Sequence, residues 1–270
     1  MNTPEPVFEF TQGTLPLLIS MPHLGTAIPA DCESSLCDIA ALRQDTDWHL
    51  DKLYAFAVDM GASVIRAKVS RYVIDLNRPP SGESLYPGQT TTGLCPTDTF
   101  RGEPLYHAGQ QPDAAEVNRR LSTYWQPYHL QLATELARLK AAHGQVLLWD
   151  AHSIASVLPR LFDGQLPDLN FGTADRRSCA PELMAAVIDV AREAPFSHVV
   201  NGRFKGGHIT RHYGQPDQQV HAIQLEMAQL LYMQEEAPFD YLPERAALLQ
   251  PWLARMLEAA VSRLRQLPVR

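Results

Sequence analysis

The sequence is poor in the features that mark most specialised proteins. Cysteine occurs four times in 270 residues (Cys32, Cys37, Cys95 and Cys179), too few and too scattered for a disulfide framework. Cys32 and Cys37 have no second cysteine pair nearby, which argues against a structural zinc knuckle. No apolar run reaches transmembrane length, and the opening MNTPEPVFEF lacks the basic start and apolar core of a signal peptide. No long Lys/Arg run occurs, acidic and basic residues are mixed, and the formal net charge is −7. Nucleic acid and membrane surfaces are therefore not expected partners. The chain also lacks a G-x-S-x-G elbow, an H-E-x-x-H pair, an internal repeat and a low-complexity linker. With 45% hydrophobic and 20% charged residues, one cytoplasmic domain over residues 1–270, with reduced thiols, is the economical expectation.

What is present is an alternation of strands and helices of α/β type. Val146–Trp149 is a short apolar run flanked by helical patterns, as in a strand buried in a covered sheet. Asp150, His152 and Ser153 follow at once, and open α/β sheets place their chemistry just beyond the carboxyl ends of such strands. Leu15–Ser20 repeats the arrangement, with His23 at the strand exit and Gly25 able to turn or to approach another backbone closely. A helix is expected from Asp45 to Met60, stopped by Gly61, with Asp45, Asp47, His49 and Asp51 in its first turn. Ala62–Ala67 and Tyr72–Leu76 read as a pair of strands, and Pro79–Pro112 as an irregular lid or wall. Asp113 and Glu116 open a helical region that is divided at Pro127 and stops at Gly144. Leu158–Ala180 reads as a loop, Pro181 opens a helix, and His198–Val200 and His221–Glu226 are strands. Gly202–Gly214 is a glycine-rich cationic loop. A terminal helix aligns Leu249, Trp252, Leu253, Met256, Ala260 and Leu264.

The chemistry follows from which polar residues leave these elements. His23 and His152 each follow an apolar strand, and Asp47 opens a helix near the first. Two imidazoles and one carboxylate are the usual protein ligands of a catalytic zinc. The ordinary alternatives are loop-capping histidines and an Asp favoured by the helix dipole. Hydrolysis at such a metal needs a carboxylate that is not a ligand, and Glu226, a charge ending an apolar strand, fits that part. Its plain alternative is a surface Glu paired with Arg211 or Arg203. Arg71 and Arg78 bracket one expected strand, Asn77 adds a planar amide, and Arg211 and Lys205 come from the glycine-rich loop. In a net-negative protein such a cluster suits a carboxylate-bearing ligand, because paired guanidinium donors match two oxygens. Arg66 and Lys68 read as solvated surface cations.

Six segments taken together, SMPHLGTAIP, QDTDWHLDKLY, SRYVIDLNRP, WDAHSI, GRFKGGHITRHYG and HAIQLEM, resemble the N-formylglutamate amidohydrolase family. The resemblance covers most of the chain. That family is distantly similar to zinc carboxypeptidases and aspartoacylase-type deacylases, which implies a mixed, mainly parallel sheet with helices on both faces. It also implies a zinc-dependent hydrolase that releases formate and L-glutamate at the end of a histidine-degradation route. By resemblance, His23 and His152 are the zinc imidazoles and Asp47 the carboxylate ligand. Asp45 stays open beside Asp47, because the H-x-x-E of the carboxypeptidases is absent: Leu24, Gly25 and Thr26 follow His23. Asn77 and Arg78 match a pair that binds substrate carboxylate, Glu226 matches the general base, and Arg71 would assist the oxyanion. One zinc per chain and a small acidic N-acyl amino acid are thus the expected cofactor and ligand, with Arg211 a further carboxylate contact. The alternatives are deacylation of N-formylaspartate or an acetylated amino acid, a metal-free hydrolase using Ser153 or Cys95, and a non-catalytic metabolite-binding protein.

Overall fold

Four apolar runs make the centre of the protein: β2 (Leu17–Met21), β3 (Ser63–Ala67), β4 (Val146–Ile154) and β7 (Val220–Ala228). All four are parallel. β1 (Phe8–Thr11) pairs antiparallel with β3 at one edge. At the other, β5 (Leu169–Gly172) runs antiparallel to β7 and parallel to β6 (His198–Val200). The computed structural model describes residues 6–85, 88 and 90–269, and its seven-stranded sheet has the order β1-β3-β2-β4-β7-β5-β6. The helices are α1 (Ala30–Glu33), α2 (Leu50–Leu53), α3 (Phe56–Asp59), α4 (Ala114–Arg120), α5 (Gln126–His143), α6 (Pro181–Glu193), α7 (His208–Tyr213) and α8 (Pro243–Leu264).

Every residue of β2 and β4 is buried, so successive side chains enter two separate cores. Leu17, Ile19, Leu147 and Trp149 pack with apolar residues of α2, α6 and α8, whereas Leu18, Val146 and Leu148 pack with those of α5. Trp149 is fully buried and donates its indole N–H to Tyr54 at 3.1 Å. Truncating such a side chain costs about 3–5 kcal/mol. The expected mixed sheet with helices on both faces is present. From β2 the chain goes to β3 on one side and comes back, through α5, to β4 on the other. Strand order therefore reverses between β2 and β4, which opens a crevice beyond their carboxyl ends.

Several local expectations are corrected. Residues 45–49 are not helical: the Asp47 N–H is held by the His23 carbonyl at 3.0 Å, and His49 takes a left-handed φ of 62°. What reads as one helix is two short turns, α2 and α3. Tyr72–Leu76 is not a strand but a turn-rich segment whose Val73, Ile74 and Leu76 are buried against the α5 core. A short apolar run looks alike in a strand and in a buried loop. β4 runs on past Trp149 because its pairing with β7 continues to Ile154 opposite Ala228. β1 was not anticipated, and β5 and α7 lie within stretches that read as loops. Other signals hold: Asp113 Oδ1 accepts the Glu116 N–H at 2.9 Å, and Gly144 ends α5 with a φ of 81°. Pro127 stands in the first turn of α5, after a π-helical turn over Leu121–Trp125. Among the described residues, no helix is long and apolar enough to cross a membrane.

Candidate active site

The crevice is furnished by strand alternation. Asp150 and His152 stand on one face of β4, Gln224 and Glu226 on the same face of β7, and the parallel register sets Asp150 beside Gln224 and His152 beside Glu226. His23 arrives from the loop after β2. A Cβ on Gly25 would stand 2.2 Å from the Val69 carbonyl oxygen, so glycine lets this loop lie against the chain leaving β3.

His23, Asp47 and His152 converge, all buried, with one ligand-type atom from each within 4.8 Å of the others. Asp47 Oδ2 is 3.1 Å from His152 Nδ1 and 3.7 Å from His23 Nδ1. A second carboxylate stands near each imidazole: His23 Nε2 is hydrogen-bonded to Asp75 Oδ1 at 2.7 Å, whereas Asp150 Oδ1 lies 3.1 Å from His152 Nε2 without a hydrogen bond. Arg71 Nη1 lies 3.2 Å from His23 Nδ1. A guanidinium can only donate, so His23 Nδ1 carries a lone pair and Nε2 the proton given to Asp75. That is the tautomer in which Nδ1 can ligate a metal. Asp45 is engaged elsewhere, its Oδ2 accepting the Phe100 N–H at 2.8 Å.

Among the described residues, Asp47 Oδ1 is buried with no hydrogen-bond partner, and its contact with Arg71 Nη1 is long, at 3.8 Å. Leaving such an oxygen unsatisfied costs on the order of 1–3 kcal/mol or more unless a cation stands beside it. Two imidazoles and one carboxylate, with Asp75 holding the far nitrogen of His23, form a donor set suited to zinc or a similar divalent ion. The residues present therefore fit the metal that the sequence implied.

Charge around the cluster is uneven. Burial, then the charge of Arg71, pulls the His23 pKa down. Burial works the same way on His152, but Asp150 and Asp47 outweigh it and raise its pKa well above the ordinary histidine value. For Asp75, burial opposes ionisation, yet Arg78, His23 and Arg71 hold its carboxyl well below the usual range. Burial pushes Glu226 up to about 8, with Asp47 and Asp150 adding to the shift and His152 and Arg71 opposing it. A carboxyl with that affinity for protons can take one and release it near neutrality.

A cleft lies over the cluster and is lined by His23, His152, Arg71, Asn77, Arg78 and Glu226, with Phe100, Arg203 and Gln224 among its walls. The Arg71 guanidinium sits 4.5 Å from the centre of the Phe100 ring, and its Nη2 donates to Asp75 Oδ2 at 2.9 Å. Arg78 is anchored through Nε to the Thr92 carbonyl at 2.9 Å. Asn77 Oδ1 accepts the Ile209 N–H at 2.8 Å, which turns its Nδ2 toward His152 Nε2, 2.9 Å away. Arg211 is the exception among the anticipated residues. The glycine-rich loop becomes α7 at His208, which carries Arg211 aside with its Nε on the Gly206 carbonyl; Arg203 faces the cleft in its place. Lys205 pairs with Asp175 at 3.2 Å.

Sequence reasoning gave no role to Asp75 or Gln224, and named Asp150 only as a polar group at the exit of its strand. Asp75 was detectable as a charge inside the apolar stretch Val73–Leu76, where it needs partners, and the structure supplies His23, Arg71 and the Asn77 N–H. Gln224 shares the face of Glu226; its Oε1 accepts the Gly207 N–H at 2.7 Å and its Nε2 donates to Glu226 Oε2 at 3.4 Å.

Comparison with known proteins places this architecture among relatives. The model of a family described as N-formylglutamate amidohydrolase matches residues 15–233. N-formylglutamate deformylases of Pseudomonas aeruginosa and Pseudomonas putida are 52% and 51% identical to this chain over 257 residues, spanning 95% of it and 96% of each relative. The crystal structure of an N-formylglutamate amidohydrolase from Ralstonia eutropha superposes with a TM-score of 0.81 at 26% identity, covering 96% of this chain and 99% of that one.

Proposed function

The chain belongs to the N-formylglutamate amidohydrolase family, and from that premise we propose that it hydrolyses N-formyl-L-glutamate to formate and L-glutamate, with zinc held by His23, Asp47 and His152. The observation that carries this reading is the convergence of those three side chains beside a buried Glu226 and two arginines in one cleft. When bound, the metal supplies a Lewis acid that lowers the pKa of a water to about 7 and polarises the formyl carbonyl. Glu226 takes the proton of the attacking water, then returns it to the amine nitrogen as the carbon–nitrogen bond breaks. The raised proton affinity of its buried carboxyl suits the return step. Arg71, held in place by Asp75, donates to the carbonyl oxygen as negative charge develops there. Arg78, with Asn77 beside it, receives the α-carboxylate, and Asn77 also keeps His152 in orientation. The products suit the last step of a histidine-degradation route in the cytoplasm.

The test is formate release by the purified protein from N-formyl-L-glutamate, N-formyl-L-aspartate and N-formyl-L-glutamine, and acetate release from N-acetyl-L-glutamate, each before and after chelation. N-formyl-L-glutamate should be the best substrate, with activity lost to chelator and regained with zinc. Turnover that survives complete metal removal would overturn the metal assignment. A preference for the acetyl compound would overturn the deformylase reading in favour of another deacylase.

A further inference from the structure

N-formylglutamate carries two carboxylates, and the residues assigned above receive one. We infer that Arg203 binds the other, the side-chain carboxylate, and thereby selects N-acyl dicarboxylic amino acids over neutral ones; the inference rests on the deformylase reading.

Two guanidinium groups besides Arg71 line the cleft, and they are mounted differently. Arg78 belongs to the inner end, where its Nη1 is 3.7 Å from Asp75 Oδ2, on the carboxylate that also holds His23. Arg203 comes from the glycine-rich loop and is mounted on the rim. Its Nε donates to the Leu161 carbonyl at 2.8 Å and its Nη2 to the Thr90 carbonyl at 3.1 Å, at a more exposed position. Its guanidinium carbon lies 5.3 Å from the centre of the Phe204 ring. Both of these acceptors are backbone carbonyls. They belong to different loops, one after β4 and one in the long segment before α4, and the plane of the fork is therefore set from two sides.

The substrate has matching geometry. Its α-carboxylate is attached next to the formylated nitrogen, close to the reacting carbon, whereas the side-chain carboxylate lies two methylene groups farther out. An inner and an outer cation in one cleft fit an inner and an outer carboxylate. Thr90, Thr91 and Thr92 border the same cleft. A purely structural Arg203 would serve only as a staple between two loops, and such a staple does not distinguish substrates by their distal charge.

The experiment compares kcat/KM for N-formyl-L-glutamate and N-formyl-L-glutamine, whose side-chain amide is isosteric but neutral, in the wild type, Arg203→Gln and Arg203→Lys. The wild type should prefer the glutamate compound, Arg203→Gln should reduce that preference by about tenfold or more, mainly through KM, and Arg203→Lys should keep part of it. An equal proportional loss on both substrates would reduce Arg203 to a staple and overturn the inference. So would a preference that collapses in Arg211→Gln but not in Arg203→Gln. Calorimetric binding of glutarate against butyrate decides the point without turnover: the wild type should favour glutarate, and Arg203→Gln should erase the difference. If the wild type turns over neither N-formyl compound, the deformylase reading fails, while a glutarate preference that persists in Arg203→Gln would overturn the Arg203 assignment separately.

Discussion

An imidazole deep in this crevice is useful because of what stands behind it. Asp75 fixes which nitrogen of His23 holds the proton and leaves its Nδ1 to face Asp47, while His152 meets Asp47 through Nδ1 and the Asn77 amide through Nε2. His23→Ala and His152→Ala should each lower bound zinc from about one ion per chain to near zero by elemental analysis. Full zinc in both variants would remove the assignment. Asp47→Asn should lose the metal as well, whereas Asp45→Asn should keep it, because an amide oxygen can still accept the Phe100 N–H. Glu226 is the contrasting case. Glu226→Gln retains shape and hydrogen bonding but cannot accept a proton, so kcat should fall by roughly two to four orders of magnitude with zinc retained. Zinc loss in that variant would instead make Glu226 a ligand.

At the scale of elements, the site depends on how the segments after β3 and β6 are strapped together. Asn77 is the strap: its carbonyl and side-chain oxygens accept the first N–H groups of α7, and its amide nitrogen meets His152. This packing is possible because position 207 has no side chain; a Cβ there would lie 2.4 Å from Asn77 Nδ2. Gly207→Ala should therefore displace Asn77. Overpacking of this kind costs about 1–3 kcal/mol, and much of it should fall on site geometry. The expected result is a drop in kcat/KM of about tenfold or more, accompanied by a modest fall in Tm. Unchanged kinetics in a folded variant would show that the orientation of Asn77 does not matter to turnover.

The whole molecule keeps several histidines uncharged inside it, and this sets its response to acid. His129 is buried between Trp125 and Tyr213, with its Nε2 on the Leu76 carbonyl at 2.8 Å; burial pushes its pKa down to about 3. Burial also pulls His221 down to about 4. In the unfolded chain both titrate near 6.5. Below that pH the unfolded state binds protons that the folded state refuses, so stability is full above about 6.5 and is lost progressively as pH falls toward the folded values. Each histidine contributes a slope of up to about 1.4 kcal/mol per pH unit in that window. Denaturant melts between pH 7 and pH 4 should show this slope, and His129→Gln should make it shallower by one proton. An identical slope in the variant would contradict the buried neutral state of His129.

What the sequence determined by itself is what local pattern and chemical type can carry. The apolar runs before His23 and His152 identified central strands, Asp113 and Gly144 marked helix ends, and six short motifs resembled one family over most of the chain. Candidate ligands, base and cleft arginines were legible as polar groups placed where an apolar element ends. What only the tertiary structure decided depends on pairing across long sequence distances. The register that sets His152 beside Glu226 joins strands seventy-four positions apart (226 − 152 = 74), and no local pattern encodes it. The same holds for Asp75 behind His23, and for Asp47 rather than Asp45 at the cluster, since a tight link from the His23 carbonyl to the Asp47 N–H replaces the helix that periodicity suggested. Arg203 and Arg211 are equally cationic members of one glycine-rich loop. Which of them faces the cleft was settled by where that loop winds into α7, a choice made by its contacts with Asn77 and Gln224 and not by its own residues alone.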